Sequence, residues 1–183
     1  WNVSVYGKDD EGNSAVNSST SFTYNALTAF ELGPGAISFG NLTIGAQNQT
    51  ATNDPLLLNN TGNVNITNIS VEAIDLYGTI QSAYFLGVGN LTVSNNSGGT
   101  CSGSACIECS GSRLINGSQV QVTNALLTRG NHSVNNGATG QEQLYYCIVN
   151  VPTGIPSQTY STSQTTSWVI RISLVVFATK RIR

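Results

Sequence analysis

Apolar residues in this chain recur at every second position or in short β-branched runs, and hardly ever at the three-to-four spacing of a helix face. The first eight residues, WNVSVYGK, set the pattern: Trp1, Val3 and Val5 fall on one face, and Asn2, Ser4 and Tyr6 on the other. Clusters of Gly, Asn, Asp and Pro punctuate such runs, as in DDEGN (9–13) and ELGPG (31–35). The spacing predicts strands at 1–8, 19–25, 36–44, 50–58, 63–76, 79–93, 112–123, 141–150 and 165–179. Those from residue 36 onward suit an all-β fold, an antiparallel β-sandwich of immunoglobulin-like or jelly-roll-like size, with a barrel as the alternative. Residues 95–112 and 129–140 read as polar loops. Residues 151–164 read as an irregular connection, because Pro152 and Pro156 cannot donate to a central ladder.

The division expected is a hairpin extension at 1–30 and a sandwich domain at 31–183. A lone hairpin cannot bury its own apolar face. Residues 1–25 look like the last two strands of a domain whose start is missing, and they must pack on the sandwich or on another molecule. Trp1, Val3, Val5, Phe22 and Tyr24 are therefore the candidate residues of a subunit joint.

Charged residues make up 9% of the chain and the net charge is −2, against roughly 25% charged residues in ordinary soluble domains. A nucleic-acid footprint is absent, since Lys180–Arg183 is the sole basic cluster. Solubility must come from elsewhere. Asn-X-Ser/Thr triplets start at Asn2, Asn17, Asn41, Asn48, Asn59, Asn65, Asn68, Asn90, Asn95, Asn116 and Asn131. Random placement of the same 21 Asn and 41 Ser and Thr residues gives about 5 such triplets. The excess and the even spread predict covalent N-linked glycans and hence an extracellular or cell-surface location. Cys101, Cys106, Cys109 and Cys147 form an even set, which in such a chain favours two disulfides. The preferred pairing is Cys109–Cys147 between strands and Cys101–Cys106 across a Gly/Ser loop. A zinc site on all four thiolates is the alternative, weakened by the lack of a tight second pair. No signal peptide is seen, and a chain beginning at Trp1 reads as a mature or trimmed form. The longest apolar run, WVIRISLVVFAT (168–179), contains Arg171 and is too short to span a bilayer.

Residues 37–76, ISFGNLTIGAQNQTATNDPLLLNNTGNVNITNISVEAIDL, follow the order Phe-Gly, strand, Gly turn, TATNDPLLLNNTGNVNIT, strand, Asp-Leu. This order resembles the β-sandwich domains of secreted archaeal surface proteins and, more loosely, the fibre-forming TasA/camelysin-like family. QEQLYYCIVNVPTGIPSQTYSTSQTTSWVIRIS (141–173) resembles the closing part of such archaeal domains. The resemblance implies an extracellular archaeal protein and a filament subunit assembled by donor-strand exchange. The hydrophobic N-terminal helix of type IV pilins has no counterpart here.

Few residues suit catalysis, and the chain does not read as an enzyme. The single histidine, His132, lies in a polar loop and inside a sequon. KDDEGN (8–13) gathers oxygen ligands that Ca2+ takes, yet without EF-hand spacing, so an acidic turn is the preferred reading. Glu72 and Asp75 are placed to pair with arginines rather than with each other for glycosidase chemistry. No nucleophile elbow or phosphate loop is present, and no metal or cofactor is expected. Trp1, Tyr6, Phe22, Tyr24, Tyr84, Phe85, Tyr145, Tyr146 and Trp168 could line a carbohydrate site, but core packing is the simpler reading. The leading expectation is a structural subunit of a glycosylated filament, a homopolymer of identical subunits joined through the N-terminal segment. The alternatives are a surface adhesion module binding through the 95–112 and 129–140 loops, or a surface-layer protein fragment.

The densest sequon region, NNTGNVNITNISV (59–71), does not alternate in one phase. Val64 and Ile66 share a face, Ile69, Val71 and Ala73 share a face, and the phase slips between Thr67 and Asn68. A bulge there would turn all five apolar residues inward and both Asn65 and Asn68 outward.

Overall fold

The computed structural model describes residues 2–21, 25–95, 109–131, 133, 139–163, 165–174 and 176–182. Their regular structure is strand throughout, apart from one 3-10 turn at Val88–Asn90. In chain order the strands are β1 (Asn2–Lys8), β2 (Ser14–Ser21), β3 (Phe30–Gly33), β4 (Gln47–Thr50), β5 (Leu56–Asn60), β6 (Ile69–Ala73), β7 (Leu76–Gly78) and β8 (Phe85–Leu86). They continue as β9 (Leu91–Ser94), β10 (Ser112–Arg113), β11 (Ser118–Gln121), β12 (Gln141–Asn150), β13 (Tyr160–Ser161), β14 (Trp168–Leu174) and β15 (Val176–Ile182).

Two antiparallel sheets form the sandwich. The first runs β10-β9-β12-β5-β3, with β4 also paired to β12; the second runs β11-β6-β14-β15. Alternation fills the space between them. Leu56, Leu58, Leu91, Val93, Leu144, Tyr146 and Ile148 come from the first sheet, and Ile69, Val71, Ala73, Ile170 and Ile172 from the second. The Tyr146 and Trp168 rings lie 6.0 Å apart across this interior, and the Trp168 indole N–H donates to the Ile74 carbonyl at 2.8 Å. The small β13-β7-β8 sheet and the separate β1-β2 hairpin complete the fold.

β12 occupies the predicted span 141–150, and the phase slip before Ile69 is present. Ile66, Ile69, Val71 and Ala73 are fully buried, Asn65, Thr67 and Asn68 are exposed, and Val64 is half-buried rather than inward. Ile66 pairs with Leu127 in an isolated bridge, and β6 begins only at Ile69. Other expected strands divide. The 165–179 run is divided between two antiparallel strands, β14 pairing β15 down to Leu174 opposite Val176. The second strand of the N-terminal hairpin starts at Ser14, not residue 19. Residues 36–44 form no strand. They follow Pro34 and Gly35, and side chains rather than a ladder hold them: Asn53 accepts from Ser38 N–H and donates to the Ala36 carbonyl, while Thr52 N–H and Oγ1 donate to the Ser38 carbonyl.

Asparagine side chains do the same work at the NTG turn. Buried Asn60 donates to the Val64 and Thr128 carbonyls at 2.8 and 3.0 Å, and its Oδ1 accepts from Gly62 N–H. Gly62 donates to the Ala29 carbonyl, and a Cβ there would collide with the Leu27 carbonyl oxygen. Asn63 accepts from Leu27 N–H and donates to the Asn25 carbonyl. The segment entering the sandwich is thus fastened to the turn after β5, and the sandwich begins at buried Phe30.

The segment 51–55 interrupts what would be a single strand opposite β12. Tyr146 faces the gap: its carbonyl accepts from Ala51 N–H at 3.1 Å, and its N–H donates to Asp54 Oδ2 at 3.0 Å. A carboxylate stands in for a strand carbonyl. Burial pushes the Asp54 carboxyl up to about 7, against the opposing pull of the Tyr146 N–H. A folded pKa above the ordinary 3.8 means that the protonated form favours folding. Its contribution is complete below about pH 4 and is lost as the pH rises through about 7. Asp54→Asn keeps the acceptor without the charge. Urea midpoints measured from pH 4 to 8 are expected to fall more steeply for the native chain than for D54N, and parallel curves would contradict this role.

Candidate functional site

Among the described residues the N-terminal hairpin has no strand partner beyond its own two strands. Every side chain from Val3 to Ser18 is exposed, including Val3, Val5, Tyr6 and Val16. Cross-strand partners share a face, so Val5 stands beside Asn17 and Tyr6 beside Val16, and the register shifts between Val3 and Val5. Apolar residues therefore occupy both faces of the hairpin, not the single face expected. Of the expected joint residues, Val3 and Val5 are placed here; Trp1, Phe22 and Tyr24 lie outside the described residues. The turn is self-contained. Asp9 Oδ1 accepts from Asn13 N–H at 2.7 Å and Oδ2 from Asn13 Nδ2 at 2.9 Å, which lowers the Asp9 pKa. Its carboxylate is thereby committed to shaping the loop.

A groove of about 750 Å3 opens at the other end of the sandwich, between 37–44, 76–86 and 155–162. Ile37, Phe39, Leu42, Ile44, Ile80 and Ile155 give it an apolar side, Asn41, Gln158 and the hydroxyls of 157–162 a neutral polar one, and no charged residue lines it. Gln158 shapes one wall by accepting from Ile80 and Gln81 N–H. Expecting a strand at 36–44 hid this groove from the sequence: the same apolar residues fit either reading.

The Cys109–Cys147 disulfide is present, its Cα atoms 5.7 Å apart. It ties the chain entering β10 to the outer face of β12 and removes two thiolates from any four-cysteine zinc site. Cys101 and Cys106 lie outside the described residues, as do His132, most of the 95–112 loop and half of the 129–140 loop. Among the described residues no three His, Cys, Asp or Glu side chains cluster, and no helix is long and apolar enough to cross a membrane. Glu72 pairs with Arg171 at 2.8 Å. Asp75 accepts from Val88 N–H instead of joining an arginine. Burial raises the Glu142 pKa, and its Oε2 accepts from Leu126 N–H. Of the aromatics, Tyr146 and Trp168 are core residues, Tyr145 is half-buried, and Tyr6, Tyr84 and Phe85 are exposed.

The sequon asparagines divide by exposure. Asn17, Asn41, Asn65, Asn68, Asn116 and Asn131 are exposed; Asn48, Asn59, Asn90 and Asn95 are half-buried; Asn2 opens β1. At Asn65, Asn68, Asn116 and Asn131 the side-chain oxygen accepts, from Arg129 N–H, Gln121 Nε2, Asp75 N–H and Ser133 N–H. These bonds do not use Nδ2, the nitrogen that carries a glycan. Asn90 and Asn95 instead donate through Nδ2, to the Gly87 and Asn124 carbonyls.

No protein family, curated protein or solved structure matches this chain.

The disulfide closes a loop with a sequence separation of 38, for which cross-linking restricts the unfolded chain by up to about 4 kcal/mol. A Cys109→Ser/Cys147→Ala chain is expected to lose about 2–4 kcal/mol in urea unfolding; an unchanged midpoint would show that the bridge does not constrain the unfolded chain.

Proposed function

We propose that the protein is a structural subunit of an extracellular, glycosylated filament, joined head-to-tail through its N-terminal hairpin. The observation that carries this reading is the hairpin itself. It exposes Val3, Val5, Tyr6 and Val16 on two faces, and such an element gains stability only against another surface. Strand addition supplies main-chain hydrogen bonds across the joint. A contact between unlike surfaces does not close on itself and propagates a fibre. The interchain role also accounts for the scarcity of charge: a polymer hydrated by sugars needs few charged side chains. The disulfide and the sequons fit an oxidising exterior.

The test removes residues 1–24 and leaves the sandwich from Asn25 onward. The shortened protein is expected to retain a cooperative unfolding transition and to form no filaments in electron micrographs. Filaments of native appearance from it would sink the reading.

Glycans on this surface follow exposure and Nδ2 access. Peptide mapping of native protein is expected to find higher occupancy at Asn65, Asn68, Asn116 and Asn131 than at Asn48, Asn59, Asn90 and Asn95, with intact mass above 19.2 kDa. A bare-chain mass would remove the sugar coat from the account.

A further inference from the structure

We infer that the apolar groove lined by Phe39, Leu42, Ile44 and Ile80 receives strand β1 of a second copy of this chain. The inference rests on the filament reading above and names the acceptor which that reading leaves open.

Three observations converge on it. The first is position. Residues 25–29, through which the hairpin joins the sandwich, are bonded to the turn at 60–63, and Asn60 N–H donates to the Gly140 carbonyl beside the start of β12. The groove lies by Ile148 and Val151, at the other end of β12. At about 3.4 Å per residue, the seven steps from Gln141 to Ile148 separate the two by about 24 Å. The segment that carries the donor and the acceptor groove thus lie at opposite ends of β12, the placement a head-to-tail contact requires.

The second is charge. The groove lining carries no Asp, Glu, Lys, Arg or His. In the hairpin, charged side chains are confined to Lys8–Glu11 at the turn, so NVSVYG and SAVNSSTS are neutral along their length. A neutral apolar cleft accepts such strands without burying an unpaired charge.

The third is backbone. Phe39, Gly40, Asn41 and Leu42 make no main-chain hydrogen bonds among the described residues, although Phe39 and Leu42 face the groove. Among the described residues β1 pairs only with β2, which leaves its outer edge for a new partner. An unpaired segment beside an apolar cleft meets an unpaired edge bearing apolar side chains, and strand addition satisfies both. β2 then lies one strand spacing further out, about 4.8 Å from β1, so Asn17 stands at the rim. Asn41 lines the groove, and sugar there would compete with the incoming strand; assembled subunits therefore carry none at Asn41.

The test uses the full chain with Ile44→Arg and Ile80→Arg, separately and together. Ile44 is 45% and Ile80 80% exposed, so either arginine leaves the monomer core intact. Thermal unfolding of the variants is expected to match the native chain. Their polymer fraction in sedimentation should drop at least about tenfold, because assembly would bury a guanidinium without a partner. Native-like polymerisation of the double variant overturns the groove as acceptor, as does a glycan on Asn41 of filament subunits. If those variants polymerise while the chain lacking residues 1–24 does not, the hairpin remains the donor and the acceptor lies elsewhere. If the unaltered chain forms no polymer, both inferences fall together.

Discussion

Strand β12 is the element on which the rest depends. It hydrogen-bonds β5 and β4 along one edge and β9 along the other, contributes Leu144, Tyr146 and Ile148 to the interior, and carries the disulfide on its outer face. Where β4 and β5 leave a gap, the Asp54 carboxylate keeps the ladder continuous at Tyr146. That substitution has a structural purpose. The residues displaced from the ladder, Thr52 and Asn53, are the ones that fix 36–38, and so one irregularity in a central strand partner builds the wall of the groove. The Tyr146 hydroxyl, fully buried and without a hydrogen-bond partner among the described residues, has its pKa raised by that burial and by the Asp54 charge.

The two ends of β12 differ in character. Asparagine side chains dominate the end where β5 turns, and they clamp the incoming chain. The other end is apolar and open. A hairpin fastened at the first end and exposing valines, with a neutral cleft at the second, gives the molecule a polarity that suits addition of one copy to the next. Unpaired strand edges ordinarily invite unselective pairing. The exposed sequons Asn65, Asn68 and Asn116 flank β6 and β11, and sugars there would shield the β11 edge from such pairing.

Much of the fold was legible because β periodicity is a local property. β12 matched its predicted span, and the slip near Thr67 followed from counting phases. The even cysteine count left three pairings, and the preferred one, Cys109–Cys147 between strands, is present. What stayed hidden was set by tertiary competition. The apolar spacing at 36–44 fits a strand, yet Asn53 and Thr52 hold that segment by side-chain bonds. Asparagines read only as sugar acceptors proved to tie segments together as well: Asn59 accepts from Gln141 on the neighbouring strand, and Asn65 from Arg129 N–H. No Gly or Asn in the run 168–182 marks the division between β14 and β15.

The account turns on whether identical copies assemble through unlike ends. Electron cryomicroscopy of native material, taken from the outer surface of the source cells without denaturation, tests this most directly. The account predicts unbranched fibres in which density for Val3 and Val5 of one subunit lies against Phe39 and Leu42 of the next. Monodisperse particles, or a flat lattice with the hairpin free in solvent, would contradict it.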